Sequence, residues 1–117
     1  MDKISLIIPC YNEQESLLLL KEELVTQLVK LNHVAFEIIL IDNCSEDNTL
    51  QIMKQLHEED ARFNYISFSR NFGKDASMYA GLKASCGDYV AIMDADLQDP
   101  PELLHQMYEI LKTEEYD

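Results

Sequence analysis

At 117 residues, 47% hydrophobic and 26% charged, the chain has the size and balance of one soluble globular domain, or part of one, with room for a real core. Nine Lys and Arg against 22 Asp and Glu leave a net charge of −13, which argues against nucleic acid or an anionic membrane surface as a direct partner. An anionic ligand would have to be drawn in by something other than net charge, such as a metal ion or backbone amides.

Four strand–loop–helix units follow one another. The first opens with Ile4-Ser5-Leu6-Ile7-Ile8, a strand that Pro9 is expected to stop. It leads into a helix over about residues 13–31, on which Leu17, Leu20, Leu24, Leu28 and Leu31 recur at spacings of three and four. The second strand covers residues 36–42, and Ser45 and Asp47 are cap candidates for a helix marked by Leu50, Met53 and Leu56. The third joins a strand at 65–69 to a weaker, Ala-containing helix at 74–85, ended by Gly87. The fourth strand, 88–94, precedes a helix carrying Leu103, Met107, Ile110 and Leu111, whose first turn suits Pro100-Pro101. Nearly continuous apolar strands alternating with helices predict an open, mainly parallel sheet covered on both faces, a three-layer Rossmann-like α/β fold.

Cys10, Cys44 and Cys86 are odd in number, widely spaced and outside any zinc-like pattern. With no signal peptide in the sequence, they point to reduced thiols and a cytoplasmic location. No apolar run approaches the roughly 18 residues needed to span a bilayer.

In open α/β sheets, ligands bind at the carboxyl ends of the strands. The unusual polar clusters all fall there: Pro9-Cys10-Tyr11-Asn12-Glu13, Asp42-Asn43-Cys44-Ser45, Ser69-Arg70-Asn71-Phe72-Gly73-Lys74 and Asp94-Ala95-Asp96-Leu97-Gln98. Ten Asp in the chain make about one Asp-x-Asp pair expected by chance, so position and not spacing gives Asp94 and Asp96 their weight. If they continue the strand, the two carboxylates and Gln98 share one side, three hard oxygen donors suited to Mg²⁺ or Mn²⁺. Fully extended backbone would hold neighbours at i and i+2 about 6.5–7 Å apart, so two ligands of one ion require a bend or an intervening water. The alternative is a set of solvated acids at a helix start, the role that suits Asp99 best.

Asp42, closing the second strand, can accept hydrogen bonds from a base or ribose, or hold an Asx turn. Glu13 can meet a ligand or sit in a first helical turn, and Tyr11 can stack on a base or cover the sheet edge. Arg70 and Lys74 flank Gly73, placed to meet phosphates or merely to balance local charge.

Taken in order, LIIPCYNEQESL, FEIILIDNCSEDNT and SRNFGKDASMYAGLKASCGDYVAIMDADLQDPPELL resemble glycosyltransferase family 2. Within it they look most like the polyprenyl-phosphate branch of dolichol-phosphate mannosyltransferase and bactoprenol glucosyltransferase. The most specific part is Asp-Ala-Asp-Leu-Gln followed by Pro-Pro-Glu, with Ser-Arg-Asn-Phe-Gly-Lys upstream. The resemblance implies a GT-A fold and an inverting hexosyltransferase whose donor is a UDP- or GDP-linked sugar and whose acceptor is a polyprenyl phosphate. Pro9, Tyr11 and Glu13 would line the nucleoside pocket, and Asp42 would contact the base or ribose. Lys74 and Asp94 would belong to the donor site, and Asp94, Asp96 and Gln98 would hold the Mn²⁺ or Mg²⁺ bridging the diphosphate. Such an ion would supply the attraction that an acidic protein otherwise lacks.

Two departures stand out. The family's usual Asp-Asp-Gly-Ser turn is here Asp42-Asn43-Cys44-Ser45, and family domains run longer than 117 residues. Residues 1–117 are therefore expected to be the donor-binding half of a domain, with the general base beyond Asp117. A membrane anchor of a longer parent, at the cytoplasmic face, would lie outside these residues. An apolar patch left uncovered would favour a homo-oligomer.

Two other functions compete. An Asp-based Mg²⁺ phosphotransfer domain would carry its acids after strand one, where this chain has Pro9-Cys10. A non-catalytic nucleotide-binding or interaction module would keep the cleft and lack turnover.

Overall fold

The computed structural model describes residues 2–31 and 34–95. In chain order these form β1 (Asp2–Cys10), α1 (Gln14–Lys30), β2 (Val34–Asp42), α2 (Thr49–Glu59), β3 (Phe63–Ser67), α3 (Lys74–Ala84) and β4 (Tyr89–Ile92). The expected fourth helix lies outside the described residues.

All strand pairs are parallel and the spatial order is β3-β2-β1-β4. The chain builds outward from β1 through β2 to β3, then crosses back to lay β4 on the other side of β1. Alternation along the strands divides the core into two layers. Ile4, Leu6 and Ile8 of β1 and Ile38 and Leu40 of β2 pack against Leu17, Leu20, Leu24 and Leu28 of α1 and Met53 and Leu56 of α2. Ile7, Ile39 and Ile41 face the opposite way, with Ile66 and Phe68 beside them and α3 above. Because β1 and β2 are covered on both faces, their sequences are apolar almost without interruption.

Several boundaries differ from expectation. Pro9 does not stop β1, which runs through it to Cys10. On β1 the odd-numbered residues address β4: Lys3 O accepts the Asp88 amide and Ile7 O the Met93 amide. Pro9 thus points its missing N–H past the last β4 pair, Ile7–Ile92, where no ladder bond is required. β3 begins at Phe63, ahead of the expected 65, because Phe63 is buried and its carbonyl accepts a hydrogen bond from His57 Nδ1 at 2.7 Å.

Gly87 is not the residue that ends α3, whose cap is Ser85. It lies against β1 so closely that a β-carbon would sit 2.7 Å from Ser5 N and Oγ. Its own amide donates to Ser5 Oγ, and that hydroxyl donates to Glu37 Oε2. No helix among the described residues is long and apolar enough to cross a membrane.

Candidate functional site: a cleft where the strand order reverses

The strand order reverses between β1 and β4, and at such a reversal the loops above the strand ends part and a crevice opens. Here it is an open cleft of about 260 Å³ above β1 and β4. Pro9, Tyr11, Glu13, Lys74 and Asp94 all line it, from three separate stretches of the chain: the end of β1 and the loop after it, the start of α3, and the residues after β4. The same wall contains Cys10, Asn43, Ser77 and Ala95, which sequence reasoning did not select. Ser77 was findable in principle, since it follows Lys74 by one helical turn. Asn43 had its only signal in standing next to Asp42.

The first two loops brace each other. Asn12 adopts a left-handed conformation (φ 52°), and its amide donates to Ser45 Oγ while its Oδ1 accepts the Glu46 amide. The Glu13 amide donates to Thr49 Oγ1, and the Asn48 amide to Gln14 Oε1. Asp47 takes the amide of Gln14, the first residue of α1, as well as that of Thr49, the first residue of α2. It therefore serves both helix starts, and Ser45, the other expected cap of α2, serves the facing loop instead. Slight burial pushes the Asp47 carboxyl up, but the Thr49 hydroxyl and the Thr49 and Gln14 amides outweigh it and hold the group below its ordinary range.

Glu13 precedes α1, where its carbonyl accepts the Ser16 and Leu17 amides and its carboxylate takes the Ser16 hydroxyl. Tyr11 is 43% exposed, its ring available on the cleft side. Asp42 is 2% exposed and does not line the cleft; its Oδ1 accepts the Ser45 amide at 3.0 Å, closing the turn. Cys44 keeps that turn with φ 59°, so it forms without the glycine usual there. Burial pushes the Cys10 thiol far up, with the Glu13 and Asp42 carboxylates adding to the effect. Cys10 is an inert wall, not a nucleophile.

Lys74 opens α3, and its Nζ lies 3.1 Å from Asp94 Oδ1. β4 ends at Ile92, two residues short of Asp94, and the chain turns at Ala95, so the acidic motif does not begin as extended strand. Asp96 and Gln98 lie outside the described residues. Among those described, no three His, Cys, Asp or Glu side chains converge as a metal-binding group. Arg70 does not reach the cleft; its guanidinium stacks 4.9 Å over the Phe72 ring, which meets Phe68 edge-on.

This architecture has relatives. CsbB of Bacillus subtilis (strain 168) is 46% identical over 103 residues, covering 88% of this chain and 31% of CsbB. The undecaprenyl-phosphate 4-deoxy-4-formamido-L-arabinose transferase of Yersinia pestis (strain Pestoides F) is 38% identical over 116 residues, covering 98% of this chain and 35% of that protein. The chain thus spans about a third of the curated relatives it matches. S. aureus TarS, solved as residues 1–349 in complex with UDP-GlcNAc, superposes with a TM-score of 0.74 at 27% identity, over 95% of this chain and 31% of that one. The parallel sheet is of the GT-A type that such neighbours share. The family model described as "Glycosyl transferase family 2" matches residues 5–117, and with that agreement of sequence and fold the chain belongs to glycosyl transferase family 2.

Proposed function

We propose that residues 1–117 are the donor-binding part of a metal-dependent, inverting hexosyltransferase that takes a UDP- or GDP-linked sugar and passes the sugar to a polyprenyl phosphate. One observation carries this reading: Pro9, Tyr11, Glu13, Lys74 and Asp94 come from three stretches of the chain to one cleft at the reversal of strand order. The Yersinia pestis relative, named for undecaprenyl phosphate, supports the acceptor, and the TarS complex with UDP-GlcNAc supports the donor class.

Tyr11 offers a flat apolar face to a base, and Glu13 an acceptor for base or ribose hydrogens. Pro9, with no N–H to satisfy, forms the floor. Lys74 stands at the start of α3, where its ammonium and the helix's positive end both favour a diphosphate. Asp94 faces that cation across the cleft mouth.

Asp94, Asp96 and Gln98 would hold Mn²⁺ or Mg²⁺. What supports this is Asp94, the member of the set among the described residues: it is a hard oxygen donor already facing a positive charge, the Lys74 ammonium. A bound ion would neutralise charge developing on the departing diphosphate. With an ion held by Asp94, the Lys74 ammonium would be available to phosphate oxygens.

Calorimetric titration of UDP and GDP, with Mn²⁺ and with chelator, tests the reading. Metal and nucleotide should each tighten the other's binding by the same factor. Asp96→Ala should remove most of that coupling, and Asp99→Ala little of it. Equal nucleotide affinity with metal and with chelator would leave the carboxylates a solvated acidic loop.

A further inference from the structure

We propose that Asn43 is a positioning residue of this cleft: its carboxamide ties the loop between β3 and α3 to the end of β2, and so sets where Lys74 stands against Asp94. The inference rests on the donor-site reading above and adds to it a residue of the cleft wall whose side chain is bonded to the neighbouring loop.

Asn43 is 7% exposed, and its amide and both polar atoms of its side chain are hydrogen-bonded. Its amide continues the β1–β2 ladder by donating to Cys10 O at 3.0 Å. Its Nδ2 donates to Asn71 Oδ1 at 2.9 Å, and its Oδ1 accepts the Phe72 amide at 2.9 Å. Asn71 Oδ1 also takes the Gly73 amide at 3.0 Å. Gly73 (φ 95°) caps α3, its carbonyl accepting the Ser77 amide, and Lys74 follows it directly. A hydrogen-bonded path therefore runs from the end of β2 through Asn43, Asn71 and Phe72 to the residue before Lys74.

The path requires an amide at position 43. One side chain must donate to an oxygen and accept from an N–H at once. A carboxylate would keep the Phe72 bond but set oxygen against Asn71 Oδ1. Turning the Asn71 amide over would cure that contact and leave its NH₂ facing the Gly73 N–H. Either way one donor or acceptor beside the helix start loses its partner. With that tie gone, the loop keeps the Phe68 amide bond to Asp42 O and the stack of Arg70, Phe72 and Phe68. None of these, nor the Asn71–Gly73 bond within the loop itself, ties Gly73 to the end of β2.

The experiment is a double-mutant cycle on UDP affinity, measured by calorimetry with Mn²⁺ over wild type, Asn43→Asp, Lys74→Ala and the double variant, with amide exchange of Phe72 and Gly73 followed in each. Asn43→Asp should speed exchange at the Gly73 amide, leave that of Phe72 protected, and weaken UDP about tenfold. Lys74→Ala should weaken it comparably, and the double variant should bind no more weakly than Lys74→Ala, because Asn43 acts through Lys74. If Asn43→Asp fails to fold, Asn43→Ser, too short to span both partners, carries the same cycle. Fully additive losses would show the two residues acting independently and overturn the proposal, as would undiminished affinity in Asn43→Asp while wild type binds UDP. If wild type bound neither UDP nor GDP, the donor reading would fall and take the positioning role with it; faster exchange in Asn43→Asp would then mark a purely structural tie.

Discussion

Replacing Gly81 with alanine sets helix propensity against packing. Gly81 lies inside α3, where alanine should gain about 1 kcal/mol. The new methyl, however, would overlap Ile7 Cγ2 and lie 3.1 Å from both Ile7 Cγ1 and Ile41 Cδ1. Ile7 and Ile41 are fully buried in the two central strands, and a β-branched side chain with one favoured χ1 cannot swing aside cheaply. Overpacking of this kind costs about 1–3 kcal/mol, and with Ile7 Cγ2 in direct overlap the upper part of that range applies. The net expectation is a loss of about 1–2 kcal/mol, a fall in Tm of roughly 4–10 °C for a chain this size. Urea unfolding of wild type, Gly81→Ala, Ile7→Ala and the double variant gives the numbers. Ile7→Ala empties the space that the new methyl needs, so the double variant should be more stable than the sum of the single losses predicts, by about 1 kcal/mol or more. A Gly81→Ala protein as stable as wild type, or a cycle additive within about 0.5 kcal/mol, would refute the close approach of α3 to the sheet.

Cys44→Gly should stabilise the protein by about 0.5–1 kcal/mol in urea unfolding, since glycine relieves the left-handed strain at φ 59°; a loss of stability would contradict that conformation. Asp42→Ala should cost about 1–3 kcal/mol of stability by freeing the Ser45 amide, with UDP affinity unchanged well below Tm; lost affinity at unchanged stability would instead make Asp42 a ligand contact. Burial would raise the Glu37 carboxyl, but the Ser5 hydroxyl, the Cys86 amide and the Lys3 charge outweigh it and hold the group below its ordinary value of 4.5. A carboxyl lowered by folding stabilises above its unfolded pKa and loses that contribution as pH falls through the folded value. Between pH 7 and pH 3, wild type should therefore lose more stability than Glu37→Gln, and parallel pH curves for the two would refute the contribution.

β1, β2 and α1 were legible in the sequence because burial on both faces of a parallel sheet and a leucine stripe are local patterns. Leu17, Leu20, Leu24, Leu28 and Leu31 are all buried, as their spacing requires. α3 was fainter for a physical reason: the residues it buries are Ser77 and Gly81, the latter set close against Ile7 and Ile41, so no apolar stripe marks them. Residue chemistry at the strand ends likewise picked out Pro9, Tyr11, Glu13, Lys74 and Asp94 as members of one edge. Sequence could not say that β4 would lie beside β1, and that placement brings Asp94 to Lys74 and opens the cleft past Pro9. Nor could it show Asp47 receiving the Gln14 amide 33 residues away, or Asn43 reaching Asn71 across 28. Periodicity and residue type are carried by each segment alone, whereas these bonds exist only once two loops distant in the chain share a boundary, and the packing of helices on both faces of the sheet decides which loops those are.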